Sequence, residues 1–184
     1  MKEQDTNPWQ TLSSEKIYDN PWISLSEHQV INPGGGNGIY GEVHFKNLAI
    51  GIIVLDNDNN TWLVGQYRFP LKEYSWEIPE GGGPINTDPL ISAKRELLEE
   101  TGIEAKSWTE IQRIHLSNSV SDELGILFLA QGLSYGESKP EESEQLIIRK
   151  LPFLKAYEMV INGEITDSLS VVAILKLKIT HFNS

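Results

Sequence analysis

The chain has 184 residues, no cysteine and a formal net charge of −11. This charge excludes a protein that holds nucleic acid by its phosphate backbone, because such binding needs a basic surface. The lack of cysteine excludes a disulfide framework and a thiolate zinc site. The sequence has no apolar run of about 18 residues and no apolar N-terminal stretch, so we expect no membrane partner, no signal peptide and a cytoplasmic location.

The N-terminal part of the chain is expected to form a small sheet. Residues 1–15 are polar and are predicted to be loosely ordered, apart from Trp9. Residues 16–30 alternate polar and apolar side chains in places, which indicates a strand. The glycine-rich residues 32–38 predict a turn, and residues 39–45 resume as a strand.

Two apolar strands follow. Residues 48–55 are almost continuously apolar, which predicts a buried strand. The polar residues 56–60 predict a turn, and residues 62–68 form the next strand. Residues 75–78 are read as a further strand, which leads into a flexible glycine-rich loop at residues 79–84.

The helix after this loop has clear boundaries. Asp88 is a favourable N-cap, and Pro89 suits the first helical position. Gly102 is placed to end the helix as a C-cap glycine. The less polar stripe of the helix is expected to face the core. It consists of Leu90, Ala93, Leu97 and Thr101.

Three carboxylates share another side of this helix. Glu96, Glu99 and Glu100 stand at i, i+3 and i+4, so their side chains meet. Like charges placed in this way repel each other, and a bound cation would offset the cost. Carboxylate oxygens select Mg²⁺, with Mn²⁺ as a substitute. The alternative is a solvated acidic face on which Arg95 pairs with Glu99.

The rest of the chain supplies strands and two helices. Short strands are predicted near residues 108–114, 125–130 and 146–151. Residues 152–160 and 169–177 are predicted to be helical, because apolar residues recur at helical spacing and turn-forming or capping residues flank them.

Residues 81–103 resemble the Nudix box, Gly-x5-Glu-x7-Arg-Glu-U-x-Glu-Glu-x-Gly-U, in which U is aliphatic. Gly81 occupies the first position. The second half is filled without a gap by Arg95, Glu96, Leu97, Glu99, Glu100, Gly102 and Ile103. Thr87 stands where the box has its first glutamate, which in the family forms a structural ion pair, and the neighbouring Asp88 is expected to replace it in part.

The surroundings of the box are similar to those of the ADP-ribose pyrophosphatase and nucleoside diphosphate sugar hydrolase branch. The similar segments are residues 66–70, 76–79 and 163–168. The resemblance implies an α+β fold, an α/β/α sandwich with a mixed central sheet and a small N-terminal antiparallel sheet. Residues 1–47 would form that sheet, and residues 48–184 the Nudix domain. In this branch the N-terminal sheet often exchanges across a two-fold axis, which implies a homodimer.

The resemblance implies Mg²⁺-dependent hydrolysis of the diphosphate linkage in nucleoside diphosphate sugars such as ADP-ribose, ADP-glucose or GDP-mannose. The products would be a nucleoside monophosphate and a sugar phosphate. Asn118 and Ser119 stand where ADP-ribose-specific relatives often have Pro and Gly, which favours a broader range of nucleotide sugars. The alternatives are hydrolysis of nucleoside triphosphates or dinucleoside polyphosphates, and a non-catalytic Nudix-fold regulator that binds a nucleotide.

The metal ligands implied by the resemblance are Glu96, Glu99 and Glu100, with the backbone carbonyl of Glu80. Glu100 is therefore also expected to act in catalysis, and a water between metals would be the nucleophile. Arg68 matches a phosphate-contacting residue, although a surface salt bridge is an equal alternative for it.

The remaining site residues are a base and substrate contacts. Glu142 and Glu144, on an acidic loop, match the general base by position, and a solvated charge run is the alternative. Glu77, like Arg68, is predicted to bind substrate. Trp22 and Phe69, like Trp9 and Tyr40, present flat rings on which a nucleobase could stack; such aromatic residues are more often part of a core.

Overall fold

A computed structural model describes residues 6–136 and 146–182. Its elements in chain order are β1 (Gln10–Asp19), β2 (Ile23–Ile31), β3 (Asn37–Phe45), β4 (Asn47–Val54), β5 (Asn60–Arg68), β6 (Glu73–Glu77), β7 (Glu80–Pro84), α1 (Pro89–Thr101), β8 (Ile103–His115), β9 (Leu124–Tyr135), β10 (Ile147–Pro152), α2 (Phe153–Ile161) and α3 (Ser168–His181). None of the helices described is long and apolar enough to cross a membrane.

The chain divides into two compact units. The first comprises the described part of residues 1–47 together with residues 115–123, and the second comprises the described parts of residues 48–114 and 124–184. The segment 115–123 was not predicted to belong with the N-terminal sheet. Backbone hydrogen bonds join it to β3, because the Val43 N–H donates to the Val120 carbonyl at 2.8 Å.

The first unit is an antiparallel sheet in the order β1-β2-β3. Its first strand begins at Gln10, so the expectation that residues 1–15 are loosely ordered is wrong for the residues from Gln10 onward. Every residue of β1 is exposed, so the strand has no buried face and no alternating apolar pattern. The strand is therefore formed by its pairing with β2 and not by an alternating pattern in its own sequence.

The second unit contains a four-stranded sheet in the order β7-β4-β9-β8, in which β4 and β9 are parallel. Helix α1 covers one face, where Ala93 and Leu97 pack in the same core cluster as Ile52 and Phe128. On the other face, a Cβ on Gly51 would lie 3.4 Å from the Cβ of a residue in α3, Leu169. The unit therefore has the helix–sheet–helix layering that the sequence predicts.

A three-stranded sheet in the order β10-β5-β6 completes the second unit. Both pairings are antiparallel, and they carry Arg68 at the end of β5 and Glu77 at the end of β6. Helix α2 follows β10 directly. This sheet brings a basic and an acidic side chain to the segment that precedes α1.

Helix α1 has the boundaries that its caps predict. The Asp88 carboxylate accepts a hydrogen bond from the Leu90 N–H at 3.0 Å. Pro89 is the first helical residue, and Gly102 ends the helix with a φ of 69°, in the left-handed region that favours glycine. These capping residues fix the two ends of the helix and therefore the positions of the glutamates along it.

Candidate active site

The backbone from Glu77 to Gly81 is held from three directions. The Ile52 N–H donates to the Pro79 carbonyl at 2.8 Å. The Ile78 N–H donates to the Ser170 hydroxyl of α3 at 2.9 Å. The Glu80 N–H donates to the Glu100 carboxylate of α1 at 3.1 Å. The segment is therefore fixed between β4, α3 and α1, and Glu100 is buried against it.

The glycine-rich segment 80–84 is strand β7, so the prediction of a flexible loop is wrong. Two of its glycines leave room for side chains of α1. A Cβ on Gly81 would lie 2.2 Å from the Glu96 carboxyl carbon, and one on Gly83 would lie 2.7 Å from the Ser92 hydroxyl. The glycines are required by the close approach of α1 rather than by a turn.

Arg95 connects this strand to two of the helix carboxylates. Its guanidinium donates to the Gly82 carbonyl at 2.9 Å, to Glu99 at 2.7 Å and to Glu96 at 2.5 Å. Burial opposes the charge of Arg95, but attraction from Glu96 and hydrogen bonds to Glu99 and Glu96 outweigh it and raise the pKa of Arg95.

The predicted Arg95–Glu99 pair thus exists, but the glutamates do not form a solvated face. The Glu96 side chain is only 13% exposed, and Glu100 is 3% exposed. Carboxylates this deeply placed cost desolvation energy, which an acidic surface helix would avoid. The alternative of a solvated acidic face therefore fails for two of the three glutamates.

Arg68 lies in a second cluster of charges, beside the segment 77–81. Its Nε donates to the Glu77 carboxylate at 2.9 and 3.1 Å, and its Nη2 donates to the same group at 2.6 Å. Nη2 also donates to Glu80 at 2.5 Å. Glu77 is buried and holds one edge of the guanidinium, so its placement suits it to orient Arg68.

The charges of this second cluster are unbalanced. Burial, followed by repulsion from Asp167 and Glu77, raises the pKa of Glu80 well above its usual range. Burial opposes the charge of Arg68, but the hydrogen bond with Glu77 and attraction from Glu80, Glu77 and Asp167 raise the pKa of Arg68. Arg68 therefore stays charged and is shared among carboxylates.

The predicted donors fit a divalent cation by their chemistry. Carboxylate and carbonyl oxygens are the ligands that hard cations prefer, and the Glu96 carboxylate occupies the space that a side chain on Gly81 would fill. One carboxylate oxygen of Glu80, Oε2, is buried and has no hydrogen-bond partner among the described residues.

As placed, however, no three acidic or histidine side chains within residues 6–136 and 146–182 converge as a ligand set. Arg95 stands between Glu96 and Glu99 and neutralises them. Binding of a cation by these two carboxylates would therefore require them to turn away from the guanidinium.

The other predicted site residues are placed as follows. Trp22 belongs to the first unit and its side chain is exposed. Phe69 follows Arg68 at the end of β5 and is also exposed. Glu142 and Glu144 lie outside the described residues, so their predicted role as a base stays a prediction.

The first unit contains a cavity of about 330 Å³. The predicted stacking residues Trp9 and Tyr40 line it, with ring centroids 5.3 Å apart in an edge-to-face arrangement. The Tyr40 hydroxyl donates to the Ser119 carbonyl at 2.5 Å. The departure at Asn118 and Ser119 therefore lies beside these aromatic rings.

Sequence reasoning missed two residues, Ser170 in α3 and Asp167, which directly precedes this helix. Ser170 is fully buried and binds the Ile78 N–H. Asp167, the N-cap of α3, accepts from the Ser170 N–H at 2.7 Å and also acts electrostatically on Arg68 and Glu80. A serine within an otherwise apolar helix was the available signal for Ser170.

Two family models match the chain. Residues 9–43 match the nucleoside diphosphate sugar hydrolase N-terminal domain, and residues 45–155 match the NUDIX domain. The α/β/α unit and its acid-bearing helix are thus those of a hydrolase that acts on pyrophosphate bonds. The chain belongs to the Nudix family, and its N-terminal sheet is that of the nucleoside diphosphate sugar hydrolases.

Individual proteins agree with this assignment. The chain is 32% identical to the ADP-ribose pyrophosphatase of Mycobacterium tuberculosis, over 95% of this chain and 84% of that protein. It is 30% identical to the methanol dehydrogenase activator of Bacillus methanolicus, over 92% of each chain. A crystal structure of an ADP compounds hydrolase has the same fold, with a TM-score of 0.82, 18% identity and 92% of each chain covered.

These matches confirm the predicted family, the α+β Nudix fold and the predicted reaction class, hydrolysis of nucleoside diphosphate sugars. Nudix pyrophosphatases generally use a divalent metal ion, which agrees with the carboxylate donors on α1.

Proposed function

We propose that the protein hydrolyses the diphosphate of ADP-ribose and related nucleoside diphosphate sugars in a Mg²⁺-dependent reaction. The observation that carries the proposal is the hydrogen bond from the Glu80 N–H to Glu100, which joins the acid-bearing helix to the strand before it. The relative from Mycobacterium tuberculosis, an ADP-ribose pyrophosphatase, supports ADP-ribose as the first substrate to test.

Glu96, Glu99, Glu100 and the backbone carbonyl of Glu80 would hold the cations in this proposal. Bound divalent cations would offset the charge of the diphosphate and lower the pKa of a bound water. The net charge of −11 makes such neutralisation necessary, because an acidic protein repels a phosphate substrate. Mn²⁺ is the expected substitute, since it prefers the same oxygen ligands.

The reaction itself is a displacement at phosphorus. The oxygen of a water forms a bond to one phosphorus, and the bond from that phosphorus to the bridging oxygen breaks. A base takes the proton of the water, and we assign this role to Glu142 or Glu144. The products are a nucleoside monophosphate and a sugar phosphate. Arg68, oriented by Glu77, would contact a phosphate through the N–H groups that Glu77 leaves open.

The base of the substrate is proposed to stack on aromatic rings. Trp9 and Tyr40 line the cavity of the first unit, while Trp22 and Phe69 expose most of their rings. Stacking on such rings tolerates different bases, which suits a range of nucleotide sugars. Measuring KM with Trp22→Ala and Phe69→Ala for adenosine and guanosine substrates tests the two exposed residues.

A homodimer through the N-terminal sheet is also part of the proposal. Strand β1 is at one edge of this sheet, is exposed along its whole length and carries Leu12 and Ile17 at more than half exposure. Such an edge offers unpaired backbone groups to a second copy. Light scattering that gives the mass of one chain at micromolar concentration would refute the dimer.

The reaction is tested by incubating the purified protein with Mg²⁺ and four substrates: ADP-ribose, ADP-glucose, GDP-mannose and UDP-glucose. We expect release of nucleoside monophosphate, which a chelator abolishes and Glu100→Gln strongly reduces. No monophosphate from any substrate would refute the proposal. Higher activity on nucleoside triphosphates would favour the first alternative, and binding without turnover in excess Mg²⁺ would favour a regulator.

The choice between Glu142 and Glu144 as the base is tested separately. Glu142→Gln and Glu144→Gln are compared for kcat, and the variant of the base is expected to lose far more activity than the other. If both variants are as active as the parent protein, neither Glu142 nor Glu144 is the base.

A further inference from the structure

Glu77 and Glu80 occupy different parts of the Arg68 guanidinium. Glu77 binds the edge formed by Nε and Nη2. Glu80 binds Nη2 through its Oε1 oxygen. Nη1 makes no hydrogen bond to any described residue, and the Arg68 side chain is 36% exposed. Within the described residues, the guanidinium therefore has one nitrogen, Nη1, without a hydrogen bond, next to Nη2, which both carboxylates bind.

This arrangement limits how Arg68 can bind a phosphate. Arginine binds phosphate most strongly through two parallel N–H groups, one on each of two nitrogens. The Nε edge is closed by Glu77, so the edge formed by Nη1 and Nη2 remains for a ligand. Glu80 takes the Nη2 position on that edge, which leaves a phosphate a single nitrogen, Nη1.

The contact of Glu80 with Arg68 is the weaker of the two carboxylate contacts. Glu77 binds Arg68 through both oxygens, whereas Glu80 uses only one oxygen. The other oxygen of Glu80 is buried and has no hydrogen-bond partner in the part of the chain that the structure describes. A phosphate that competes for Nη2 would therefore displace Glu80 more readily than Glu77.

We propose that Glu80 is a positioning residue that competes with the substrate phosphate for Arg68 and so weakens substrate binding. The proposal rests on the proposed function, because it takes the diphosphate of a nucleotide sugar as the ligand of Arg68. It concerns the side chain of Glu80, whereas the proposed cation contact uses only its backbone carbonyl. Glu80 thereby sets the affinity for phosphate without touching the phosphate.

The test measures pyrophosphate binding as well as turnover. Calorimetry with inorganic pyrophosphate in Mg²⁺ gives Kd, and assays with ADP-ribose give KM, for the parent protein, Glu80→Ala and Glu80→Gln. We expect Glu80→Ala to lower both Kd and KM by about threefold to tenfold, because Nη2 becomes free to bind phosphate. A tenfold change corresponds to about 1.4 kcal/mol. Glu80→Gln, which keeps an acceptor oxygen but loses the charge, should give a smaller decrease.

Two controls separate this role from general electrostatics. Glu73 stands opposite Arg68 in the β5–β6 pairing and is exposed, so Glu73→Ala removes a nearby charge without removing the Nη2 contact. It should change Kd less than Glu80→Ala does. In an Arg68→Ala background, Glu80→Ala should have no effect on Kd, because the two residues act through one contact.

The outcomes distinguish the proposed role of Glu80 from the proposed hydrolysis of nucleotide sugars. Thermal melting first establishes that each variant is folded. An unchanged or raised Kd in folded Glu80→Ala and Glu80→Gln would overturn the role of Glu80. The same holds if Glu80→Ala lowers Kd equally in the parent protein and in the Arg68→Ala background. If the parent protein binds pyrophosphate but releases no AMP from ADP-ribose, the proposed reaction fails while the Kd values still decide the role of Glu80.

Discussion

The backbone N–H of Glu80 donates a hydrogen bond of 3.1 Å to the buried carboxylate of Glu100. This contact makes one box glutamate part of the scaffold as well as a proposed cation ligand. The same residue therefore links the position of helix α1 to the position of the Glu80 carbonyl. Substitutions at this site should separate the structural role from the chemical role.

Glu100→Gln should remove activity with little loss of stability, whereas Glu100→Ala should lose both. Glutamine keeps an oxygen that can accept from the Glu80 N–H, but it lacks the charge that a cation needs. We expect activity to fall on the order of 100-fold or more in both variants, as for loss of a transition-state charge stabiliser. The melting temperature should fall clearly only for alanine, because the part-buried Glu80 N–H then loses the carboxylate that accepts its hydrogen bond. Full activity of Glu100→Gln would contradict the proposed site.

Gly81→Ala should displace Glu96 and reduce both stability and activity. A Cβ at this position would lie 2.2 Å from the Glu96 carboxyl carbon, so the Glu96 side chain would have to move. We expect a cost of about 1 kcal/mol in the free energy of unfolding, at the low end for overpacking, because the group that moves is the end of a flexible side chain. Gly41→Ala is the matched control, since a Cβ there meets nothing within 4 Å. Equal stability and activity of the two variants would show that Glu96 moves aside freely.

Features set by local sequence could be predicted, and features set by distant contacts could not. The ends of α1 follow from Asp88 and Gly102, which act within one turn of the helix. Strand β1 has no buried face, so its sequence does not show the alternating apolar pattern that predicts a strand. The strand forms because it pairs with β2. The glycines of β7 indicate a loop by composition, yet their cause is the proximity of Glu96 and other side chains of α1.

The same distinction applies to the site. The spacing of the glutamates predicts that they share a face of α1, because helix geometry is local. The partners of Arg68 depend on the pairing of β5 with β6 and on the turn of the chain into β7. Sequence alone therefore left a phosphate contact and a salt bridge equally possible for Arg68. The structure contains the salt bridges to Glu77 and Glu80, and among the described residues Nη1 has no hydrogen-bond partner.

Ser170→Ala should destabilise the protein through the segment that precedes the box. The Ser170 hydroxyl is fully buried and accepts from the Ile78 N–H at 2.9 Å. Removing it leaves a buried N–H without a partner, which costs about 1–3 kcal/mol. Ser168→Ala, on an exposed position at the start of the same helix, is the matched control and should change the free energy of unfolding far less. A denaturant midpoint for Ser170→Ala equal to that of the control would show that water replaces the hydroxyl.

Asp56 should make the stability of the protein depend on pH below about 4. Burial alone would raise its pKa, but the ion pair with Lys150 and hydrogen bonds from Asn60 and Asp58 lower it to about 2. The pKa of Asp56 in the folded protein is thus below its ordinary value of 3.8. The contribution of Asp56 is therefore fully present above pH 4 and is lost as the pH falls through 2. A shift of this size corresponds to about 2 kcal/mol.

Asp56→Asn tests this expectation, because asparagine keeps a side-chain oxygen that can accept the N–H groups of Asp58 and Asn60. The variant should be less stable than the parent protein at pH 7, and the difference should shrink by about 2 kcal/mol between pH 4 and pH 2. Urea denaturation at several pH values measures both curves. Lys155, which pairs with Glu158 on the exposed surface of α2, provides a control. Lys155→Met should leave the acid dependence nearly unchanged, because exposed ion pairs contribute little. A stability difference between Asp56→Asn and the parent protein that stays constant down to pH 2 would contradict the lowered pKa of Asp56.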